Sequence, residues 1–132
     1  MKKLFSFFIG AVGLSVALVG CRKKENHHPS PRATITITKP SAGQLFRAGD
    51  TVVVEAEIRS ETTLHGYKLA ITNSRGDTVF AADDHAHAAV LNINRYWVNT
   101  HKTPDDLNVT INSEIDHDGN TVSKEVMIRV EP

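Results

Sequence analysis

From Thr51 to Arg59 the chain alternates without a break: Val52, Val54, Ala56 and Ile58 share one parity, and Val53, Glu55, Glu57 and Arg59 the other. A repeat of two residues puts one set on the dry face of a β-strand and the other on its wet face. The same alternation returns in Ile35 and Ile37 among threonines, in Tyr67, Leu69 and Ile71, in Leu107, Val109, Ile111, Ser113 and Ile115, and in Val126, Ile128 and Val130. No part of this region holds a helical period for three turns. Strands of this kind, each apolar on one side, need a second layer to cover them.

Turn chemistry separates the runs. Pro40 to Gly43 and Ala48-Gly49-Asp50 bracket a short piece around Leu45-Phe46, Ser74-Arg75-Gly76-Asp77 lies between two strands, and Asp118-Gly119 is a hairpin signal. Thr103-Pro104-Asp105-Asp106 predicts one capped helical turn, with proline at its first position and acids beside the amide ends. The expected strands are 33–39, 51–59, 65–73, 77–82, 88–98, 107–116 and 121–131. About seven short strands with turns every 8–12 residues predict an all-β sandwich. Trp97 is expected in its packing. If 88–98 keeps one parity, Arg95 falls inward with Leu91, Ile93 and Trp97, which predicts a bulge near Asn94.

The amino-terminal part has a different character. Met1-Lys2-Lys3 is cationic, Leu4 to Val19 is apolar apart from small residues, and the run is shorter than the ~20 residues a membrane span needs. Charge, apolar stretch and small-residue end make residues 1–20 a cleaved signal peptide. Cys21, the single cysteine, follows at once, so no internal disulfide can form. Residues 21–32, with the polar run Arg22 to Arg32, lack aliphatic side chains and read as a flexible tether. Its cations either rest against anionic headgroups or are simply solvated. The domain is 33–132.

That domain carries nine Lys/Arg against fourteen Asp/Glu. A mildly acidic domain excludes the basic face that nucleic acid requires. Acyl transfer needs a nucleophile, a base and an orienting group, and neither an elbow motif nor paired carboxylates supply them. The expectation is a monomeric, non-catalytic binding or structural module with a protein or glycan partner; the alternative is a module that sequesters or delivers zinc or copper as its cofactor through a His-x-His cluster.

Two stretches carry a resemblance. Leu18-Val19-Gly20-Cys21 resembles the lipobox of bacterial lipoproteins, in which the cysteine thiol receives a diacylglyceryl group, the chain is cut before it, and the new amino terminus is acylated. Ile37 through Val52, with some slippage, resembles the opening of bacterial immunoglobulin-like domains, and Asp116 to Asn120 their last hairpin turn. The whole chain is similar to small Bacteroidota lipoproteins with one immunoglobulin-like or fibronectin-like sandwich, among them an uncharacterised family with a His-x-His after the third strand. The resemblance implies lipidation and palmitate-type acylation at Cys21. It also implies the cell envelope of a Gram-negative bacterium, in the outer rather than the inner membrane. Surface-exported relatives carry an acidic run after the cysteine; Arg22-Lys23-Lys24-Glu25 departs from that and leaves the membrane face open.

The domain's histidines are the remaining candidates: His65, His85, His87, His101 and His117. On an extended strand the two imidazoles of His85-Ala86-His87 point the same way and can grip zinc or copper if a third ligand is supplied. Placing the connections after the fourth and fifth long strands at one end of the sandwich groups His85 and His87 with His101. Asp84 or Asp105 then serves as an oxygen ligand, and His65 and His117 fall at the opposite end. The alternative to a metal is hydrogen-bonded loop histidines. Asp116, Asp118 and Asn120 offer oxygens at alternate positions, as calcium loops do, although the glycine comes early and no bidentate glutamate follows. A plain hairpin explains the same residues. Arg75-Gly76-Asp77 spells an adhesion tripeptide and also suits a turn. Asp50-Thr51-Val52 and Asp77-Thr78-Val79 resemble O-glycosylation sites of exported Bacteroidota proteins.

Overall fold

The structure, a computed structural model, describes residues 31–132. The expected signal peptide, Cys21 and most of the expected tether lie outside these residues. Eight strands follow one another: β1 (Ala33–Lys39), β2 (Leu45–Arg47), β3 (Thr51–Leu64), β4 (Tyr67–Thr72), β5 (Thr78–Asp84), β6 (Ala88–Val98), β7 (Asp105–Glu114) and β8 (Thr121–Glu131). They form two sheets, β1-β3-β6 and β2-β8-β7-β4-β5. This is an immunoglobulin-like β-sandwich. The chain changes sheet between β1 and β2: β1 pairs antiparallel with β3, and β2 runs parallel to β8.

The alternating residues meet between the sheets. Ile35, Val52, Val54 and Ile58 from one sheet face Leu69, Ile71, Leu107, Val109, Ile111, Ile128 and Val130 from the other, all buried. Burying each such side chain contributes about 1.5–3 kcal/mol. The threonines and charged residues between them stay on the outer faces, as a period of two requires.

The strands depart from sequence expectation in four places. β2 is an eighth strand, too short at three residues to show a period. β3 continues past Arg59 to Leu64, with a register shift between them: the buried Leu64 pairs with Ala88, and the polar run Ser60 to Thr63 before it carries no alternation of burial that would mark a strand. The helical turn at Thr103 to Asp106 does not form. Asp105 and Asp106 instead pair with Val130 and Arg129, so β7 starts there.

The bulge expected near Asn94 is also absent. β3 and β6 keep one register from Thr51↔Val98 to Arg59↔Val90, and Arg95 does point inward. Its long side chain removes the conflict. The guanidinium carbon lies 5.7 Å from the centre of the Tyr67 ring, and a terminal nitrogen lies 3.9 Å from Asp84 Oδ2. The apolar stem stays against the core while the charge finds a π-face and a carboxylate. Trp97 is only half-buried and packs on the rim of the core.

Candidate functional site

Strand direction decides which connections share an end. An antiparallel chain reverses at every strand from β3 onward, so the β3–β4, β5–β6 and β7–β8 connections lie together. The β4–β5 and β6–β7 connections lie at the opposite end. His65 is in the first of these connections, His85 and His87 in the second, and His117 in the third. All four therefore gather at one end, and His101, after β6, is at the other.

This corrects the grouping of His85 and His87 with His101. The eleven residues of β6 separate them, about 35 Å of strand at the usual rise. His101 has its own surroundings: its ring sits edge-on to Trp97 with centroids 5.8 Å apart, and its backbone N–H donates to Asn99 Oδ1 at 3.0 Å. Asp105 belongs to that end too, where the Ser74 hydroxyl holds its carboxyl below the usual carboxylate range. Asp84 lies at the histidine end but faces Arg95.

The four rings form a chain of contacts. His85 and His87 stand perpendicular with centroids 4.8 Å apart, and their Nε2 atoms are 3.2 Å apart. His87 and His65 are likewise nearly perpendicular at 5.0 Å. His65 and His117 are tilted by 43° at 4.2 Å. His65 is half-buried and the other three are exposed. As the rings stand, no three or more His, Asp or Glu side chains among the described residues converge on one point as metal ligands would.

Gly66 brings the β3–β4 corner this close to the β5–β6 connection. Its φ is +108°, a conformation that side-chain-bearing residues rarely adopt. A Cβ there would collide with the Asp84 carbonyl oxygen and come within 3.0 Å of the His85 Cα. The corner is fixed from the other side by the buried Ser113, whose hydroxyl donates to the Gly66 carbonyl at 2.6 Å. The His65 N–H donates to the Glu114 carbonyl at 3.4 Å. Beside His65 opens a depression of about 200 Å³ bordered by Lys68, Asp83 and Glu114. Next to it, burial pushes the Tyr67 hydroxyl up, against the opposing pull of the Arg95 cation.

Asp116 closes the β7–β8 turn with its carboxylate. Oδ1 accepts the N–H groups of Asp118 and Asn120 at 3.0 and 3.1 Å, and Oδ2 accepts the Asn120 side-chain amide at 2.7 Å. These bonds, the Asn120 amide first, hold the Asp116 carboxyl below its ordinary range. Its oxygens thus serve the turn, which accounts for Asp116, Asp118 and Asn120 without an ion.

The adhesion tripeptide is at the far end. Asn73 Oδ1 accepts the N–H groups of Arg75 and Asp77, and Arg75 Nε lies 3.3 Å from Asp77 Oδ2, so the two charged side chains face each other across the turn. Thr51 and Thr78 are exposed at strand starts.

Sequence reasoning missed Asn99. It is 1% exposed, and its amide donates to the carbonyls of Phe46 and Glu131 at 3.3 and 3.2 Å. It thereby ties β6 to β2 and to the end of β8. An asparagine just after a strand looks like any loop residue, so no sequence signal marks it.

No family model matches the chain, and no curated protein matches it. Among solved structures it is similar to the fibronectin(III)-like modules of CbhA from Clostridium thermocellum, at 18% identity over 74% of this chain and 96% of that one, with a TM-score of 0.50. It also aligns with CopC from Methylosinus trichosporium OB3b, at 16% identity over 76% of this chain and 95% of that one, with a TM-score of 0.49. At such identities the first likeness shows the fold alone, an immunoglobulin-like sandwich.

Proposed function

We propose that this chain is a lipoprotein of a Gram-negative cell envelope, anchored in the outer membrane through lipid on Cys21. It presents its immunoglobulin-like module for contact with a protein or glycan partner and carries out no catalytic step. The observation that carries this reading is a lipobox-like run at Leu18 to Cys21, placed one short polar segment ahead of a self-contained sandwich. The first described residues enter the sandwich at the histidine end. Arg32 accepts a bond from the Glu61 N–H, and Ala33 pairs with Ser60, both beside the β3–β4 corner. An anchor upstream of them attaches at the histidine end and leaves the Arg75 and Asn99 end far from the point of attachment. Tyr96 and Val98, 60% and 49% exposed on the outward half of β6, are groups such a contact would use.

The test is metabolic labelling of the full chain with a palmitate analogue, followed by membrane fractionation, for the natural sequence and for Cys21→Ser. Label and membrane association in the first, both lost in the second, are expected. An unlabelled natural chain, or a Cys21→Ser chain that stays with membranes, overturns the reading.

A further inference from the structure

We propose that the histidine end is a binding site for one divalent transition-metal ion of the zinc or copper class, with His85, His87 and His65 as ligands. The geometry of the first pair points to it. Imidazole nitrogens bind zinc at 2.0–2.1 Å, so two nitrogens 3.2 Å apart subtend about 100° at a shared ion, near the tetrahedral angle. Ring centres of two such ligands then stand about 5 Å apart, given the same bond length. The observed separations are 4.8 Å for His85 and His87 and 5.0 Å for His87 and His65. His65 and His117, at 4.2 Å and tilted, are closer than two ligands of one ion would be. His117 thus packs on His65 rather than joining the set.

A hydrogen bond between two neutral imidazoles also explains 3.2 Å. It does not explain why a third ring stands beside them at the same spacing, brought there by a glycine at positive φ and a buried serine. The pair is already spaced for an ion. His65, half-buried between His87 and His117, turns about its side-chain bonds to bring a nitrogen in. All-imidazole ligation suits zinc and copper, and the ordinary order of affinities puts copper(II) ahead. Asp83 and Glu114 border the depression beside His65, against the single cation of Lys68, and so favour a cation there. The proposal is independent of the lipid anchor.

The test is calorimetric titration of the full chain in detergent with zinc and, separately, copper(II), in a His27→Ala/His28→Ala background that removes the tether histidines. One ion per chain is expected. His85→Ala/His87→Ala should abolish uptake, His65→Ala should weaken it about tenfold or more, and His101→Ala should leave it unchanged. Since a variant could lose binding by misfolding, copper(II) electron paramagnetic resonance supplies a second readout: three coupled imidazole nitrogens, falling to two in His65→Ala. No saturable uptake, uptake that survives the double substitution, or a His65→Ala chain that matches its parent overturns the site.

Discussion

Replacing Gly66 with alanine tests whether the corner that gathers the histidines is as tight as described. Two costs add. Alanine at φ +108° sits where an L residue is disfavoured by about 1–2 kcal/mol. Its Cβ also meets backbone at Asp84 and His85, which cannot swing aside as a side chain would. Such overpacking costs about 1–3 kcal/mol. The alanine regains about 0.4–1 kcal/mol by restricting the unfolded chain. The net loss from these ranges is about 1–5 kcal/mol, centred near 3. Gly76 is the internal control: its φ is +87°, yet nothing lies within 4 Å of a Cβ built there. Gly76→Ala therefore carries only the conformational cost and should lose about 1 kcal/mol. Urea unfolding followed by circular dichroism reads both, with the m-value checked for constancy. In a domain of this size each kcal/mol lowers Tm by about 4–8 °C, so a thermal scan separates the two variants clearly. If Gly66→Ala unfolds at the same urea concentration as Gly76→Ala, the close approach is not there and the reasoning fails.

Three further outcomes are expected. Asn99→Ala strips donors from two carbonyls and an acceptor from the His101 N–H in a buried position. It should cost about 3 kcal/mol in urea unfolding, and a loss below about 1 kcal/mol would show those groups satisfied otherwise. Ser113→Ala leaves the Gly66 carbonyl without its buried donor; about 1–2 kcal/mol should disappear by the same assay, and an unchanged midpoint counts against the bond. The Asp116 carboxyl is held below its ordinary range by the turn. Its contribution is therefore complete above the unfolded value of about 3.9 and is lost as pH falls through the lower folded value. Thermal scans from pH 6 down to about 2 should show Asp116→Asn with a shallower acid limb than the natural chain; parallel limbs would remove Asp116 from the account.

The fold was largely legible because burial on one face writes itself into every second residue. β1, β6 and β8 begin and end where the alternation does. What escaped were segments with no alternation to read: the three residues of β2, where Phe46 alone is buried, and the polar end of β3 from Ser60 to Thr63. The inward Arg95 shows a different limit. A charge on the core parity looked like a fault needing a bulge, and only the placement of Tyr67 and Asp84 shows why it is tolerated. The site was half legible. His85-Ala86-His87 stood out by spacing, whereas its neighbours depend on which connections share an end. Counting strand reversals from β3 assigns His65 and His117 to that end and removes His101. The closeness of the rings depends on Gly66, whose conformation no composition reveals.

The pairing of β1 also has a mechanical side. Ala33 to Lys39 runs lengthwise along β3, held by hydrogen bonds perpendicular to both strands. In a chain tethered at its amino terminus and gripped by a partner at the far end, tension runs along β1 and loads those bonds together, in shear. A pull from the side would part them one after another, like a zipper. The order in which the chain enters the sandwich thus gives the domain its firmer grip in the direction a membrane anchor would pull.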